Sequence, residues 1–442
     1  MGDGGATSVV TSSGTTSEQQ RLRRDIGWNL VPVALLGVVG LGLNFVIGGW
    51  WGAKALGSFT LVTIPFFAFA VVGACGLQYA VLRAIAEEPG DRDRVAVVAV
   101  GALIPCIVLA AVVTALFVAL REPMGQLLES RAVTEGMLWA APGVFCFAIN
   151  KVLLGIVNGL RRMRAFALYT SLRYALIAVG LVLARVWELD VDQLPVIWTF
   201  AEGVLLIVLF VELFATVAVG RGATRMVAGD GWRAWARRHL DFGARGVMAT
   251  LASEINSKID VWLLGIALPD AQVGIYSLAS ALYEGAIQIA VVLQNNLNPV
   301  IARQLAAGEV REVEALSARM RRWFVPVMIA ACVLGAAGYP FVIPWLIGDP
   351  TFIEGSAAFA IMMGGLALAS PWLPLNQVLL MAGRPGWYTV YIAAILAVNV
   401  VGNVLLIPTF GIEGAAIATA ASMIASALLL RVLVRWRVGL RI

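Results

Sequence analysis

The sequence predicts an all-α membrane protein with twelve transmembrane helices arranged as two pseudo-symmetric six-helix bundles. First, 60% of its residues are hydrophobic and 13% are charged, which excludes a soluble globular domain. Second, its apolar runs are about 20 residues long or longer, enough to cross about 30 Å of hydrocarbon. They are also continuous, unlike the alternating pattern of a transmembrane β-barrel. Third, lysine and arginine are concentrated in alternate gaps between these runs.

This distribution of basic residues predicts both the number of spans and their orientation. With a cytoplasmic N-terminus, the inward gaps hold 24 Lys and Arg and the outward gaps hold 4. Cytoplasmic loops retain Lys and Arg during insertion, so this imbalance predicts that both termini are cytoplasmic. The predicted spans are 30–50, 57–82, 95–119, 135–158, 165–186, 195–219, 243–268, 273–298, 323–347, 355–381, 387–408 and 410–431.

Four segments follow along the chain. Residues 1–25 are rich in Gly, Ser and Thr and predict a disordered cytoplasmic tail. Residues 26–220 form the N-terminal six-helix bundle, 221–242 a cytoplasmic linker, and 243–442 the C-terminal six-helix bundle. Trp232 and Trp235 lie among the arginines of the linker, which suits an amphipathic helix on the inner leaflet. A helix that docks a partner protein is the alternative.

The two halves resemble each other at matching positions. Gly57 near the start of the second span corresponds to Gly274 near the start of the eighth, and Gly159 corresponds to Gly383. Because each half has six spans, the two repeats have the same orientation. We therefore expect them to be related by an axis along the membrane normal.

Several classes of function are excluded or disfavoured. The net charge of +5 reflects cytoplasmic arginine, so we expect contact with the lipid bilayer and no nucleic-acid binding. The four cysteines lie inside spans without paired spacing, and His239 is the single histidine, so neither a disulfide nor a metal site is expected. No nucleotide-binding motif or long extramembrane segment is present, which argues against an enzyme and a bound cofactor.

The seventh and eighth spans carry charges that do not belong in lipid. Glu254, Lys258 and Asp260 fall on one broad arc of the seventh span, and Asn256 lies between them. Glu284, Gln288 and Asn295 share a narrow stripe of the eighth span. A charge at the bilayer centre costs about 2.5–3.5 kcal/mol, so these stripes predict the wall of a hydrated cavity. Polar contacts that simply hold two helices together are the alternative.

Two further groups stand out. Lys151 and Arg173 are cations in the inner half of the fourth and fifth spans, and they suit a phosphate-bearing ligand. Lys151 could instead pair with a carboxylate such as Glu212. In the tenth span, Pro371 and Pro374 each remove a backbone donor and predict a broken helix that acts as a hinge.

Two stretches carry a resemblance to a known family. The run Val273-Gly274-Ile275-Tyr276-Ser277-Leu278-Ala279, after the stretch from Asp260 to Gly265, is similar to that of polysaccharide and O-antigen flippases. The last hairpin, from Leu406 to Thr419, resembles the same proteins. They belong to the multidrug/oligosaccharidyl-lipid/polysaccharide exporter superfamily, and the resemblance extends from about residue 25 to the end of the chain.

The resemblance implies a V-shaped pair of bundles, as in multidrug exporters, that alternates between inward-facing and outward-facing forms. It implies transport of a polyprenyl-pyrophosphate-linked oligosaccharide from the inner to the outer leaflet of a bacterial plasma membrane. In that function Lys151, Arg173 and Lys258 would meet the pyrophosphate. Glu254, Asp260 and Glu284 would be structural or would carry a coupling H⁺ or Na⁺, and a polysaccharide polymerase and glycosyltransferases would be partners.

Other readings remain open at this point. A multidrug exporter or cation antiporter of the same superfamily also has twelve spans, but its pocket would need aromatic and acidic groups more than buried cations. A membrane scaffold for glycosyltransferases, without transport activity, is a second alternative that would use the Arg- and Trp-rich linker. The sequence does not identify the glycan or the coupling ion.

Overall fold

The structure is a computed structural model, and it is helical throughout the part of the chain that it describes. The described backbone covers residues 13–88, 90–217 and 231–440. Side chains are described at residue 35, over 37–88, 90–215 and 231–245, at residue 251, and over 258–440. The predicted tail before residue 13, most of the linker before residue 231, and the side chains of Glu254 and Asn256 therefore lie outside the described residues.

The helices follow the predicted order of spans. The N-terminal half contains α1 (Ser13–Ala74), α2 (Leu77–Glu87), α3 (Arg92–Ala119), α4 (Arg121–Leu127), α5 (Arg131–Gly159), α6 (Met163–Val186) and α7 (Val196–Val217). The C-terminal half contains α8 (Gly231–Ala267), α9 (Asp270–Ala306), α10 (Val310–Ile347), α11 (Gly355–Ala369), α12 (Val378–Met381) and α13 (Pro385–Arg437). Short 3₁₀ turns cover Pro350–Glu354 and Leu373–Leu375. Helix α1 begins at Ser13, within the segment predicted to be a disordered tail.

Two long helices are interrupted by glycines. Helix α1 has a φ of 85° at Gly52, and α13 has a φ of 58° at Gly411, a region that glycine enters without a steric penalty. In α13 a Cβ added at Gly402 would lie 2.9 Å from the Cβ of Ala418. Sixteen residues of continuous helix span about 24 Å, so the chain folds back on itself at Gly411. The eleventh and twelfth predicted spans are the two arms of this hairpin.

Among the described residues, nine helices are long and apolar enough to cross a membrane. Helix α1 contains the first predicted span and most of the second, with Gly52 between them, and the second span continues through the turn at residues 75–76 into α2. Helix α13 contains the eleventh and twelfth predicted spans, with Gly411 near their junction. Helix α8 covers the seventh predicted span and is not one of the nine, which are counted over described side chains alone; residues 246–250 and 252–257 of α8 lie outside them. The all-α, many-span class is confirmed, whereas the number twelve remains a prediction.

Tryptophans on α10 match the thickness of a bilayer. Trp323 and Trp345 are 53% and 81% exposed, and they are separated by 22 residues, or about 33 Å of helix. Tryptophan is enriched where hydrocarbon meets the headgroups on both sides of a membrane. The apolar surface between them, including Leu334 and Phe341, is exposed as expected of a lipid-facing helix.

The two halves meet closely where α1 crosses α9. A Cβ added at Gly57 would lie 1.7 Å from the carbonyl oxygen of Asp270, and one added at Gly274 would lie 1.9 Å from that of Ala53. The glycines that mark corresponding positions in the two predicted repeats therefore pack backbone against backbone. The charge distribution assigns this end of both helices to the outside, and it is called the outer end below.

The first part of α8 packs on the chain's own N-terminal half. Trp235 packs directly against Gly101 of α3. A Cβ added at Gly101 would lie only 2.6 Å from the Cβ of Trp235, so a larger residue at position 101 would clash with it. Trp235 stacks on His239 with ring centroids 5.5 Å apart, and His239 is buried. The guanidinium of Arg94 lies 5.7 Å from the Trp235 ring. The described end of the predicted linker thus lies on α3, a position that the sequence did not indicate.

Candidate functional site

In the N-terminal half, Arg173 forms a buried ion pair with Glu202, which Asn150 also contacts. Its Nε lies 2.7 Å from Oε1 of Glu202, and its Nη2 donates to Oε2 at 3.1 Å. The amide of Asn150 donates to Oε2 and to the backbone carbonyl of Glu202 at 2.8 and 2.9 Å. The side chains of Arg173 and Glu202 are 12% and 0% exposed. The network joins α5, α6 and α7, because a buried carboxylate requires a cation and hydrogen-bond donors.

Two cations lie on one aromatic ring beside this network. Lys151 and Arg173 approach the ring of Phe147 at 5.3 and 4.6 Å from its centroid. Attraction to the face of the ring offsets part of the cost of keeping two positive groups close together. The structure therefore brings together the two cations that the sequence assigned to this half, although Arg173 is already paired with a carboxylate. Glu212 pairs with Arg162 and accepts a 2.8 Å hydrogen bond from Tyr169.

A second ion pair joins α8 and α9 in the C-terminal half. Nζ of Lys258 lies 2.5 Å from Oε1 of Glu284, and Ser280 is 3.5 Å from the same oxygen. Their side chains are 35% and 40% exposed. Lys258 lies nine residues before the end of α8, about 14 Å along the helix, and the seventh predicted span places this position inside the membrane. A charged pair facing lipid is costly, so the predicted hydrated cavity would account for this exposure, and the cavity itself remains a prediction.

Asp260 has different surroundings. It is buried, accepts a 2.7 Å hydrogen bond from the hydroxyl of Tyr276, and accepts one of 2.9 Å from the backbone N–H of Val261. The Tyr276 hydroxyl is also 3.4 Å from that of Thr419 on α13. Asp260 thus links α8, α9 and α13. The sequence offers no signal for Tyr276 or Thr419 as its partners, because they are 16 and 159 residues away.

The other predicted site residues divide into two groups. Gln288 and Asn295 are exposed on α9 and follow Glu284 by 4 and 11 residues, within about 40° of its helical face. They therefore continue the polar surface from the Lys258–Glu284 pair. The side chains of Glu254 and Asn256 are outside the described residues, so their contribution to this surface remains a prediction.

The chain is irregular at the predicted hinge. Helix α11 ends at Ala369, and Pro371 and Pro374 lie in the non-α-helical stretch that precedes α12. Two polar contacts hold this stretch: Asn298 donates to Gln377 at 2.8 Å, and the Tyr391 hydroxyl donates to Asn376 at 3.1 Å. The missing backbone donors of proline account for the break. A hinge motion here remains a prediction.

Among the described residues, no cluster of three or more His, Cys, Asp or Glu could hold a metal ion. The four cysteines are free thiols: Cys75, Cys106, Cys146 and Cys332. The polar groups described above are the Arg173–Glu202 and Lys258–Glu284 ion pairs, the two cations beside Phe147, and the hydrogen bonds of Asp260. Their chemistry suits recognition of a charged or polar ligand.

Comparison with known structures identifies the fold. An inward-facing multidrug resistance MATE family transporter of the MOP superfamily aligns with a TM-score of 0.75 at 15% identity, covering 93% of this chain and 98% of that chain. The lipid II flippase MurJ in an inward closed conformation aligns with a TM-score of 0.71 at 13% identity, covering 93% and 87%. A MOP superfamily transporter from Pyrococcus furiosus, described by the reverse polarity of its binding pocket, aligns with a TM-score of 0.61 at 15% identity, covering 95% of each chain.

Sequence comparison identifies the family. The "Probable low-salt glycan biosynthesis flippase Agl15" of Haloferax volcanii is 24% identical over 187 residues, which are 42% of this chain and 39% of that protein's length. The sequence profile of a family described as "Polysaccharide biosynthesis protein" matches residues 23–304. That match covers most of the chain and confirms the resemblance seen in its motifs. The chain belongs to the polysaccharide biosynthesis protein family.

Proposed function

We propose that the chain is a flippase that moves a polyprenyl-pyrophosphate-linked oligosaccharide from the inner to the outer leaflet by alternating access. The observation that carries this proposal is the Lys258–Glu284 ion pair, reachable yet inside the membrane. A lipid-linked glycan has a pyrophosphate at the membrane surface and sugars that cannot enter hydrocarbon. It therefore requires a cation and a polar path at that depth.

Three further observations support the proposal. The family is described by polysaccharide biosynthesis, and the archaeal relative is named as a glycan biosynthesis flippase. The fold is shared with a lipid II flippase. Lys151 and Arg173 add positive charge beside Phe147 in the other half. Arg173 is held by Glu202 through the ion pair at Nε and the hydrogen bond from Nη2, so we assign it a supply of positive charge near the ligand and no direct contact with it.

The proposal includes ion coupling and partners. Glu284 and Glu254 are the acids that we propose for coupling by H⁺ or Na⁺, and the hydrogen bonds of Asp260 favour the structural alternative for that residue. We further propose that both termini lie in the cytoplasm of a bacterial cell. A polysaccharide polymerase and glycosyltransferases are the proposed partners. The protein itself carries no enzymatic step in this scheme.

Reconstitution tests the function directly. The purified chain in liposomes is given undecaprenyl-pyrophosphate carrying a fluorescent oligosaccharide, and a membrane-impermeant quencher reports the leaflet. Exchange well above that of protein-free liposomes is expected. Background exchange at normal protein incorporation would reject the flippase and favour the scaffold.

The same liposomes address the second candidate, a multidrug exporter, which the fold shared with a MATE transporter favours. Accumulation of a cationic dye driven by an ion gradient, without exchange of the lipid-linked sugar, would support that alternative. We expect the opposite, because the described charges on the path include cations.

A further inference from the structure

The two ion pairs within the membrane differ in how far a ligand can reach them. Glu202 is completely buried and receives hydrogen bonds from Asn150 in addition to Arg173. Lys258 and Glu284 are each more than a third exposed, and Ser280 is a distant third partner. An anion can therefore contact Lys258 without dismantling the fold, whereas the Arg173–Glu202 pair is sealed.

The Lys258–Glu284 pair has no net charge when no ligand is bound. A phosphate group that binds Lys258 must compete with Glu284 for the same ammonium. If Glu284 stayed ionised, a carboxylate and a phosphate would lie close together, and like charges within about 4–6 Å disfavour each other's charged form. Uptake of one proton by the carboxylate removes this repulsion.

The groups around Glu284 offer no other counter-charge among the described side chains. Asp260 and Tyr283 lie nearby, and Asp260 already accepts from Tyr276 and Val261. Helices α11 and α12 also pack against α9 and carry no charged residue, and α10 contributes the uncharged Cys332. Helix α13 brings the uncharged Thr419 to Tyr276, and the turn Pro350–Glu354, which contains the acid Glu354, also contacts α9. Lys54 of α1 lies at the outer end, near Asp270. Lys258 is thus the cation that both Glu284 and a ligand would share.

We propose that a phosphate-bearing lipid displaces Glu284 from Lys258 and that Glu284 then takes up one proton from water in the polar path, so that ligand and proton bind together. This inference rests on the proposed function. The displaced carboxylate gains the proton and becomes a neutral acid, while Lys258 stays protonated and pairs with the phosphate. Asp260 keeps its hydrogen bonds and serves to position α8 against α9 and α13.

Calorimetry can count the protons. The full chain in detergent is titrated with farnesyl pyrophosphate in two buffers of different ionisation enthalpy, and the difference in heat gives the protons taken up. Glu284→Gln is compared with wild type, and Glu122→Gln, at an exposed position in the short helix α4, is the matched control. The difference between variants gives the protons whose uptake requires the Glu284 carboxylate, and the infrared spectra described below assign the proton to the carboxyl group.

Wild type and Glu122→Gln are expected to take up about one proton more than Glu284→Gln on binding. For each unit by which the pH falls, the affinity of wild type for farnesyl pyrophosphate should therefore rise by up to about tenfold more than that of Glu284→Gln. Equal proton uptake by wild type and Glu284→Gln, with binding intact, would overturn the inference and leave the proposed function standing. Failure of wild type to bind would overturn both. Infrared difference spectra of wild type, which should show a protonated carboxyl band on binding, test the same step if Glu284→Gln does not fold.

Discussion

The hydroxyl of Ser130 donates a 2.6 Å hydrogen bond to the carboxylate of Asp270 and so ties the N-terminal half to the C-terminal half at the outer end. Both residues are buried. Ser130 also accepts from the backbone N–H of Val133 as the N-cap of α5, which fixes its position. Together with the crossing at Gly57 and Gly274, this bond holds the two halves in contact at this end of α9, whereas Glu284 lies 14 residues further along the same helix.

Loss of the Ser130–Asp270 bond is predicted to favour opening of the outer end. Hydrogen bonds to charged groups contribute about 1.5–3 kcal/mol, so Asp270→Ala should shift the closed-to-open ratio by about tenfold or more. The measurement is labelling by a membrane-impermeant maleimide of a cysteine introduced at the buried Ser277. Asp349→Ala, which removes a helix cap in another outer loop, is the control. Unchanged labelling in Asp270→Ala would contradict the assigned role.

The Gly57–Gly274 crossing is predicted to tolerate no side chain. Gly274→Ala places a methyl group against the backbone of α1, and overpacking of this kind costs about 1–3 kcal/mol. We expect a lower thermal unfolding temperature in detergent. Gly285→Ala on the same helix has open space around it, and alanine is the better helix former by about 1 kcal/mol, so that variant should be neutral or more stable. Equal stability of the two variants would argue against the close crossing.

We predict that the main role of the Arg173–Glu202 pair is to stabilise the fold. Removing one partner of a buried pair costs about 3–5 kcal/mol, so Glu202→Ala should destabilise the fold severely. Replacing both groups with leucine should restore most of the stability, because no buried charge is then left unpaired. Thermal unfolding measures this recovery. If the double variant is stable and still moves lipid-linked sugar at the wild-type rate, Arg173 does not contact the substrate.

Acid is predicted to loosen the packing of α8 on α3 through His239. Burial is the main cause that lowers the pKa of His239 to about 4, opposed by a hydrogen bond to the backbone of Val98. The unfolded histidine has a pKa near 6.5 and binds a proton that the folded one does not, so stability falls as pH decreases from about 6.5 to 4. We expect His239→Gln to flatten the fall in unfolding temperature between pH 7 and 4.5 relative to wild type. Parallel curves for the two proteins would contradict this.

The order of the spans and the all-α class could be predicted from the sequence, because charge distribution and apolar length act locally along the chain. The family could be predicted from two short stretches that resemble those of known flippases. The pairing of charges could not. Arg173 was assigned to a phosphate by its depth, but its position opposite Glu202 depends on how α6 packs against α7. Asp260 was grouped with Lys258 because they share a helix, yet Tyr276 and Thr419 reach it from other helices. Side-chain partners across helices are set by packing, which periodicity in one segment does not encode.

The most direct test of the central claim is the rate at which liposomes containing Lys258→Gln move undecaprenyl-pyrophosphate-linked sugar between leaflets. The control is Arg121→Gln, which removes a cation from the first turn of the short helix α4, beside Glu122. The account predicts at least a tenfold lower rate for Lys258→Gln at equal incorporation and unfolding temperature, and a wild-type rate for Arg121→Gln. A wild-type rate in Lys258→Gln would contradict it.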